Sequence, residues 1–172
     1  LGWDRTAVST TYTIGASYPL RPKVQINVDA RRSAIDGTPA SGGVLATDES
    51  TYEYYSGSLT ASSLLKEGDV SIISARFSDS GTAKVISLTL DSRYPFGRTW
   101  RINPRLRVDR RQRTTEADYE WLYTPGIRVQ YRRSQRFRIE LEAGKQFSQR
   151  ETFGTDLDRE SYFINLGYQS FF

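Results

Sequence analysis

Two carboxylates two residues apart, Glu140 and Glu142, sit close in sequence to Arg128, Arg132 and Arg138. In an extended chain that spacing puts both carboxyl groups on one face, about 7 Å apart. Such a separation suits the acid and the base of an inverting carboxylate mechanism. The same two residues also serve as ion-pair partners for Arg128 and Arg138, a reading that needs no substrate. The rest of the catalytic repertoire is missing. The 172 residues include no Cys, no His and no Met. That excludes thiolate nucleophiles, cysteine zinc sites, Ser-His-Asp triads and His-ligated metals. The serines have no Asp-His companions. No catalytic residue, metal or cofactor is therefore expected, and the chain does not read as an enzyme.

Arginine is what the chain has in abundance. Only Lys23, Lys66, Lys84 and Lys145 are lysines among the 24 basic residues, and the net charge is +4. A basic balance raises nucleic-acid binding as a class. Here, however, the arginines alternate with aliphatic residues over several segments, and no helix-turn-helix, RNA-recognition or finger pattern is present. Nucleic acid is not expected as a partner. Arg101, Arg105, Arg107, Arg128, Arg132 and Arg138 share the polar alternates with Asp109, Glu140 and Glu142. If that face lines a lumen, Arg101, Arg105, Arg107, Arg128, Arg132, Arg138, Glu140 and Glu142 form a charged wall. Arginine keeps its charge and binds carboxylate, sulfate or phosphate with two parallel hydrogen bonds, so the wall would favour anions. The structural alternative is a set of Arg–Glu ladders filling a narrow interior. A second cluster, Arg110, Arg111 and Arg113, falls where a segment meets a loop. It fits a rim facing lipopolysaccharide phosphates, or one facing solvent.

The elements that carry these residues are strands. Trp100, Ile102, Pro104, Leu106 and Val108 alternate with Arg101, Asn103, Arg105 and Arg107. Phe137, Ile139, Leu141 and Ala143 alternate with Arg138, Glu140, Glu142 and Gly144. Val24, Ile26 and Val28 alternate with Gln25, Asn27 and Asp29. A period of two places one set on each face of a strand. It predicts nine strands near 6–19, 23–33, 51–65, 70–78, 83–94, 99–112, 119–133, 137–151 and 160–172. Short turns are expected after Leu20, Leu65, Pro95 and Ser134, and longer polar connections at 34–50, 113–118 and 152–159. Strands of roughly 11–15 residues exceed the usual 5–6 of soluble sheets. Long strands with apolar and polar faces, joined by short turns at one end and long loops at the other, are the pattern of a transmembrane β-barrel. Only half of each strand then faces lipid, which accommodates a hydrophobic content of 37%. Aromatics gather at both ends, as barrel girdles do. Tyr18, Tyr94, Phe96, Trp100 and Phe137 lie near the short turns. Tyr52, Tyr54, Tyr55, Tyr119, Trp121, Tyr123 and Phe153 lie near the long loops.

The last segment, Tyr162-Phe-Ile-Asn-Leu-Gly-Tyr-Gln-Ser-Phe-Phe172, puts Tyr162, Ile164, Leu166, Tyr168 and Phe172 on one face. It resembles the C-terminal signal strand of Gram-negative outer-membrane barrels, which the barrel-assembly machinery reads as an address. Ser170 departs from that pattern, where an aromatic is common, and weakens the address. The stretches Asp158–Tyr168 and Ser92–Asp109 resemble barrel domains that follow periplasmic helical repeats, a group that includes exopolysaccharide-export porins. The resemblance spans the chain at the level of architecture. It implies a polymer conduit in the bacterial outer membrane, contacts with lipid and lipopolysaccharide, and a periplasmic helical-repeat domain upstream.

The expected fold is thus all-β: an antiparallel, transmembrane up-and-down β-barrel of about 8–10 strands. Residues 1–172 form a single such domain or the C-terminal segment of one. An odd count, a start at Leu1 and the absence of Met favour a fragment of a larger barrel. The expected function is a pore or export conduit passing anionic polymer or small solutes. The competing expectation is a non-conducting barrel that anchors a periplasmic domain or displays loops for adhesion. A soluble sandwich or lipocalin-like barrel, with aliphatic residues inward and arginines outward, accounts for the alternation but not for the strand length.

Overall fold

The computed structural model describes residues 7–40, 42–114, 119–134, 137–152 and 155–170. The described residues form nine strands: β1 (Ser9–Arg21), β2 (Val24–Ile35), β3 (Ser50–Ser62), β4 (Val70–Asp79), β5 (Ala83–Phe96), β6 (Trp100–Arg113), β7 (Tyr119–Arg132), β8 (Phe137–Thr152) and β9 (Thr155–Ser170). All nine lie in one sheet in sequence order, each antiparallel to the next. Among the described residues no helix is long and apolar enough to cross a membrane.

The sheet is open. β1 pairs only with β2 and β9 only with β8, so the expected closure into a barrel is not formed within these nine strands. Strand parity gives the reason. In an up-and-down sheet the first and ninth strands run the same way, so joining their free edges would be a parallel pairing inside an antiparallel sheet.

Register divides the side chains into two faces. Across the strands, Ile14 opposes Ala30, Val28 opposes Gly57, Leu59 opposes Ile73 and Ala75 opposes Leu88. Leu88 opposes Val108, Ile102 opposes Val129, Val129 opposes Leu141 and Leu141 opposes Leu166. One face is therefore largely apolar from β1 to β9, and no described element covers it. Ile14, Ile164 and Leu166 are 74–75% exposed. The only buried hydrophobic residue among those described, Leu122, lies on the opposite, polar face. There it neighbours Asp109, which in turn neighbours Ser87, and all three are buried.

Connections at one end are short: 22–23, 97–99 and 133–136. The fourth, 63–69, is longer than the expected 66–69 turn. The Asp69 carboxylate accepts hydrogen bonds from the backbone N–H groups of Leu64, Leu65 and Lys66 at 2.9–3.0 Å. This draws those amides out of the ladder and ends β3 at Ser62, although Leu64 and Leu65 would have suited a strand. Burial pushes the Asp69 carboxyl up, but the amides of Lys66, Leu65 and Leu64 outweigh it and hold it below its ordinary 3.8.

At the other end, the expected long connection 152–159 is a correction. β9 begins at Thr155, which pairs with Thr152. The asymmetry between the ends rests mainly on the β2–β3 connection at 36–49, which folds on itself through a Thr38–Thr47 bridge. Residues 115–118, within the other expected long loop, lie outside the described residues.

Candidate functional site

All eight expected lumen-lining residues share the polar face. Arg101, Arg105 and Arg107 come from β6, Arg128 and Arg132 from β7, and Arg138, Glu140 and Glu142 from β8. Register puts Arg128 opposite Glu142, Gln130 opposite Glu140, and Arg132 opposite Arg138. The glutamates are shared between arginines. Glu142 receives Arg105 Nη2 at 3.0 Å and Arg128 Nη2 at 2.8 Å. Glu140 forms ion pairs with Arg138 and with Arg128, whose Nε lies 3.0 Å away, and accepts from Gln130 Nε2 at 3.1 Å. Both carboxylates are thus occupied by guanidinium groups. A general base needs a lone pair free to take a proton, so the arrangement favours the ion-pair reading of Glu140 and Glu142 over catalysis. A hollow of about 390 Å³ opens beside them, lined by Arg138, Glu140, Glu142, Asn165 and Gln169. A smaller one of about 180 Å³, nearer the short connections, is lined by Arg101, Gln130, Arg132 and Arg138.

Toward the opposite end the balance of charge changes. A hollow of about 370 Å³ is lined by Arg76, Arg107, Arg111, Arg113, Arg150 and Glu120. Asp109, 1% exposed, pairs with Arg107 at 2.9 Å and lies 4.0 Å from Arg111. Glu120 accepts from the Ser148 hydroxyl at 2.9 Å. Arg76 and Arg150 were not singled out in the sequence. The phase of the alternation in β4 and β8 would have found them, since each shares parity with polar neighbours.

The expected arginine rim is split by that same parity. Arg110 is on the apolar face, its guanidinium 3.8 Å from the Tyr119 ring and 5.9 Å from that of Trp121. Arg111 and Arg113 are on the polar face and line the hollow just described. Three arginines within four residues cannot share one face of a strand. Only Arg110 keeps a position compatible with a lipid-facing rim.

The aromatic residues divide likewise. Tyr18, Tyr55, Tyr94, Phe96, Trp100, Tyr119, Trp121, Tyr123 and Phe137 have the parity of the apolar face, and Trp100 and Tyr131 pack with ring centroids 4.8 Å apart. Tyr52 and Tyr54 are a correction. They lie on the polar face beside Asp29 and Arg31, lining a hollow of about 590 Å³. Phe153 lies outside the described residues. In the expected assembly strand, Tyr162, Ile164, Leu166 and Tyr168 are on the apolar face and 71–82% exposed, while Phe172 lies outside the described residues. Two further features went unread in the sequence. Lys145 interrupts the apolar face of β8, paired with Glu160 at 2.8 Å and set over the rings of Phe147 and Tyr162. Phe163, on the polar face of β9, lies over Gly144 and beside Gly126.

No family model, curated protein or solved structure gives a significant match to this chain. Its function is therefore argued from the two faces alone.

Proposed function

We propose that these nine strands are part of the wall of an outer-membrane β-barrel that acts as a pore or export conduit. The apolar face meets lipid, and the arginine-rich face lines the path of anionic polymer or small solutes. The observation that carries this reading is the largely apolar, uncovered face that extends over nine strands. A soluble monomer rarely leaves a contiguous apolar patch above a few hundred Å², whereas a barrel wall requires one. The dimensions support the proposal. On β5 the apolar face runs from Ile86 to Phe96, about 33 Å at ~3.3 Å per residue. A tilt of about 40° reduces that to a height of ~25 Å, the height of a barrel's lipid-facing band. At the 36–49 end, the charged residues Arg32, Glu53, Asp79, Lys84 and Arg110 bound the band on consecutive strands.

Closure with antiparallel pairing throughout takes an odd number of further strands between the free edges of β1 and β9. The exposed alternates of β9 suit recognition by the barrel-assembly machinery. Arg110 suits a lipopolysaccharide phosphate, and the resemblance to repeat-plus-barrel exporters suggests a periplasmic helical-repeat domain. No catalytic step is assigned.

One observation favours a second reading. Arg105, Arg128 and Arg138 are tied to Glu140 and Glu142, and such ladders can fill a narrow barrel. The protein would then be a non-conducting anchor or loop-display scaffold. Single-channel conductance of the full-length protein in a planar bilayer, with reversal potentials in a salt gradient, decides between the two. An open, anion-selective conductance that falls when Arg105, Arg107 and Arg128 become Glu is expected. A sealed bilayer containing folded, heat-modifiable protein would overturn the conduit.

A further inference from the structure

The polar face is not evenly charged. Around Glu140 and Glu142, guanidinium groups and carboxylates alternate and satisfy one another. Toward the end that carries the 36–49 connection, five arginines surround one hollow, with Glu120 in its lining and Asp109 against it. Arg76 makes no ion pair with any described residue. Register places Arg76 opposite Ser87, and Ser87 opposite Asp109. The Ser87 hydroxyl is buried, with residue exposure of 3%, and has no hydrogen-bond partner. Buried polar groups are ordinarily satisfied, and clustered like charges repel unless a counter-charge lies among them. Arg76 and the orphaned Ser87 hydroxyl are thus direct neighbours across the β4–β5 register.

We infer that Arg76, Arg107, Arg111, Arg113 and Arg150 form an oxyanion-binding site for carboxylate, sulfate or phosphate groups carried by a soluble solute. The inference deepens the proposed conduit and rests on its polar face being open to water. It goes further by assigning anion capture to one end of that face and by excluding the Glu140–Glu142 region from it. Guanidinium groups suit this ligand class because their planar donors match an oxyanion in pairs. Arg107 donates its Nε–H to Asp109, leaving the Nη groups of that guanidinium for the ligand.

The test is equilibrium binding of fluorescently labelled dextran sulfate to the full-length protein folded in detergent micelles, at fixed ionic strength, with uncharged dextran as the blank. Arg76→Gln/Arg111→Gln should weaken binding at least tenfold. Arg101→Gln/Arg132→Gln removes the same charge from the other end and should change it less than threefold. Arg110→Gln, on the apolar face, should leave it unchanged. Equal loss from both double variants would overturn the site in favour of diffuse charge attraction. Full affinity in the first double variant would overturn it outright. Loss on Arg110→Gln alone would move the oxyanion to a lipid headgroup and equally overturn it. If the first pair fails to fold, Arg76→Gln alone carries the same expectation at three- to tenfold, because that side chain breaks no ion pair. Conductance of the same proteins separates the two levels. Binding without conductance sinks the conduit and keeps the site, whereas conductance without binding sinks only the site.

Discussion

Gly144 offers the sharpest perturbation. A Cβ added there would lie 2.4 Å from Phe163 Cζ, 2.6 Å from Cε1 and 2.9 Å from the Pro125 carbonyl oxygen. The ring would have to retreat by about 1 Å to restore ordinary contact, and the carbonyl belongs to the neighbouring strand and has little room to give. Overpacking of this kind costs about 1–3 kcal/mol. Against it stands a gain of roughly 0.4–1 kcal/mol, because alanine has fewer unfolded conformations than glycine. Gly144→Ala should therefore destabilise by about 1–2 kcal/mol. Phe163→Ala removes the ring that causes the larger part of the clash, so in that background Gly144→Ala should become near neutral. The pair should show a coupling of about 1–2 kcal/mol. Urea unfolding of the protein folded into lipid vesicles, followed by tryptophan emission, measures all four corners of the cycle. A Gly144→Ala variant as stable as the parent, with additive behaviour in the Phe163→Ala background, would refute the packing argument.

Three further outcomes follow from the same geometry. Ile164→Arg places a charge in the middle of the apolar face and should cost about 2–4 kcal/mol of folding into vesicles. The adjacent Asn165→Arg on the polar face should cost far less, and equal effects in a heat-modifiability gel assay would defeat the assignment of faces. Glu142→Gln takes a shared carboxylate from Arg105 and Arg128, whose side chains are 45% and 35% exposed. Its effect on stability should stay within about 1 kcal/mol, while the reversal potential shifts toward greater anion selectivity. The Asp69 carboxyl, held below 3.8 in the folded chain, contributes stability that is complete above that value and is lost as pH falls through the lower folded one. Amide proton shifts of Leu64, Leu65 and Lys66 should titrate with a midpoint below 3.8 and become pH-independent in Asp69→Asn. A midpoint at or above 3.8 would contradict the hydrogen-bonded turn.

The sheet was legible in the sequence wherever one face had to be apolar. Alternation located all nine strands because a period of two leaves a charge-free row, as in Trp100, Ile102, Pro104 and Leu106. Reading failed where that demand lapses. Beyond the apolar band both faces of β9 can be polar, so Asp158 and Arg159 looked like a loop although their backbones pair with β8. It failed again where a side chain competes with the ladder, as Asp69 does for the amides after Ser62. Arg110, Arg111 and Arg113 looked like one patch because proximity in sequence was given precedence over parity. The oxyanion cluster escaped notice for a different reason. Arg76, Arg107 and Arg150 are far apart in the chain, and only the register of β4 to β8 gathers them.

Because every strand touches only its neighbours in sequence, the sheet has a consequence for how it forms. Each hairpin can zip onto the previous one after a short loop closes, and no early step waits for distant residues to meet. Growth can then proceed strand by strand, with the order of events set by which end is supplied first. Among the described strands no pairing joins elements distant in the chain. Substitutions in β2 and β8 should accordingly alter separate steps and leave each other's kinetics untouched.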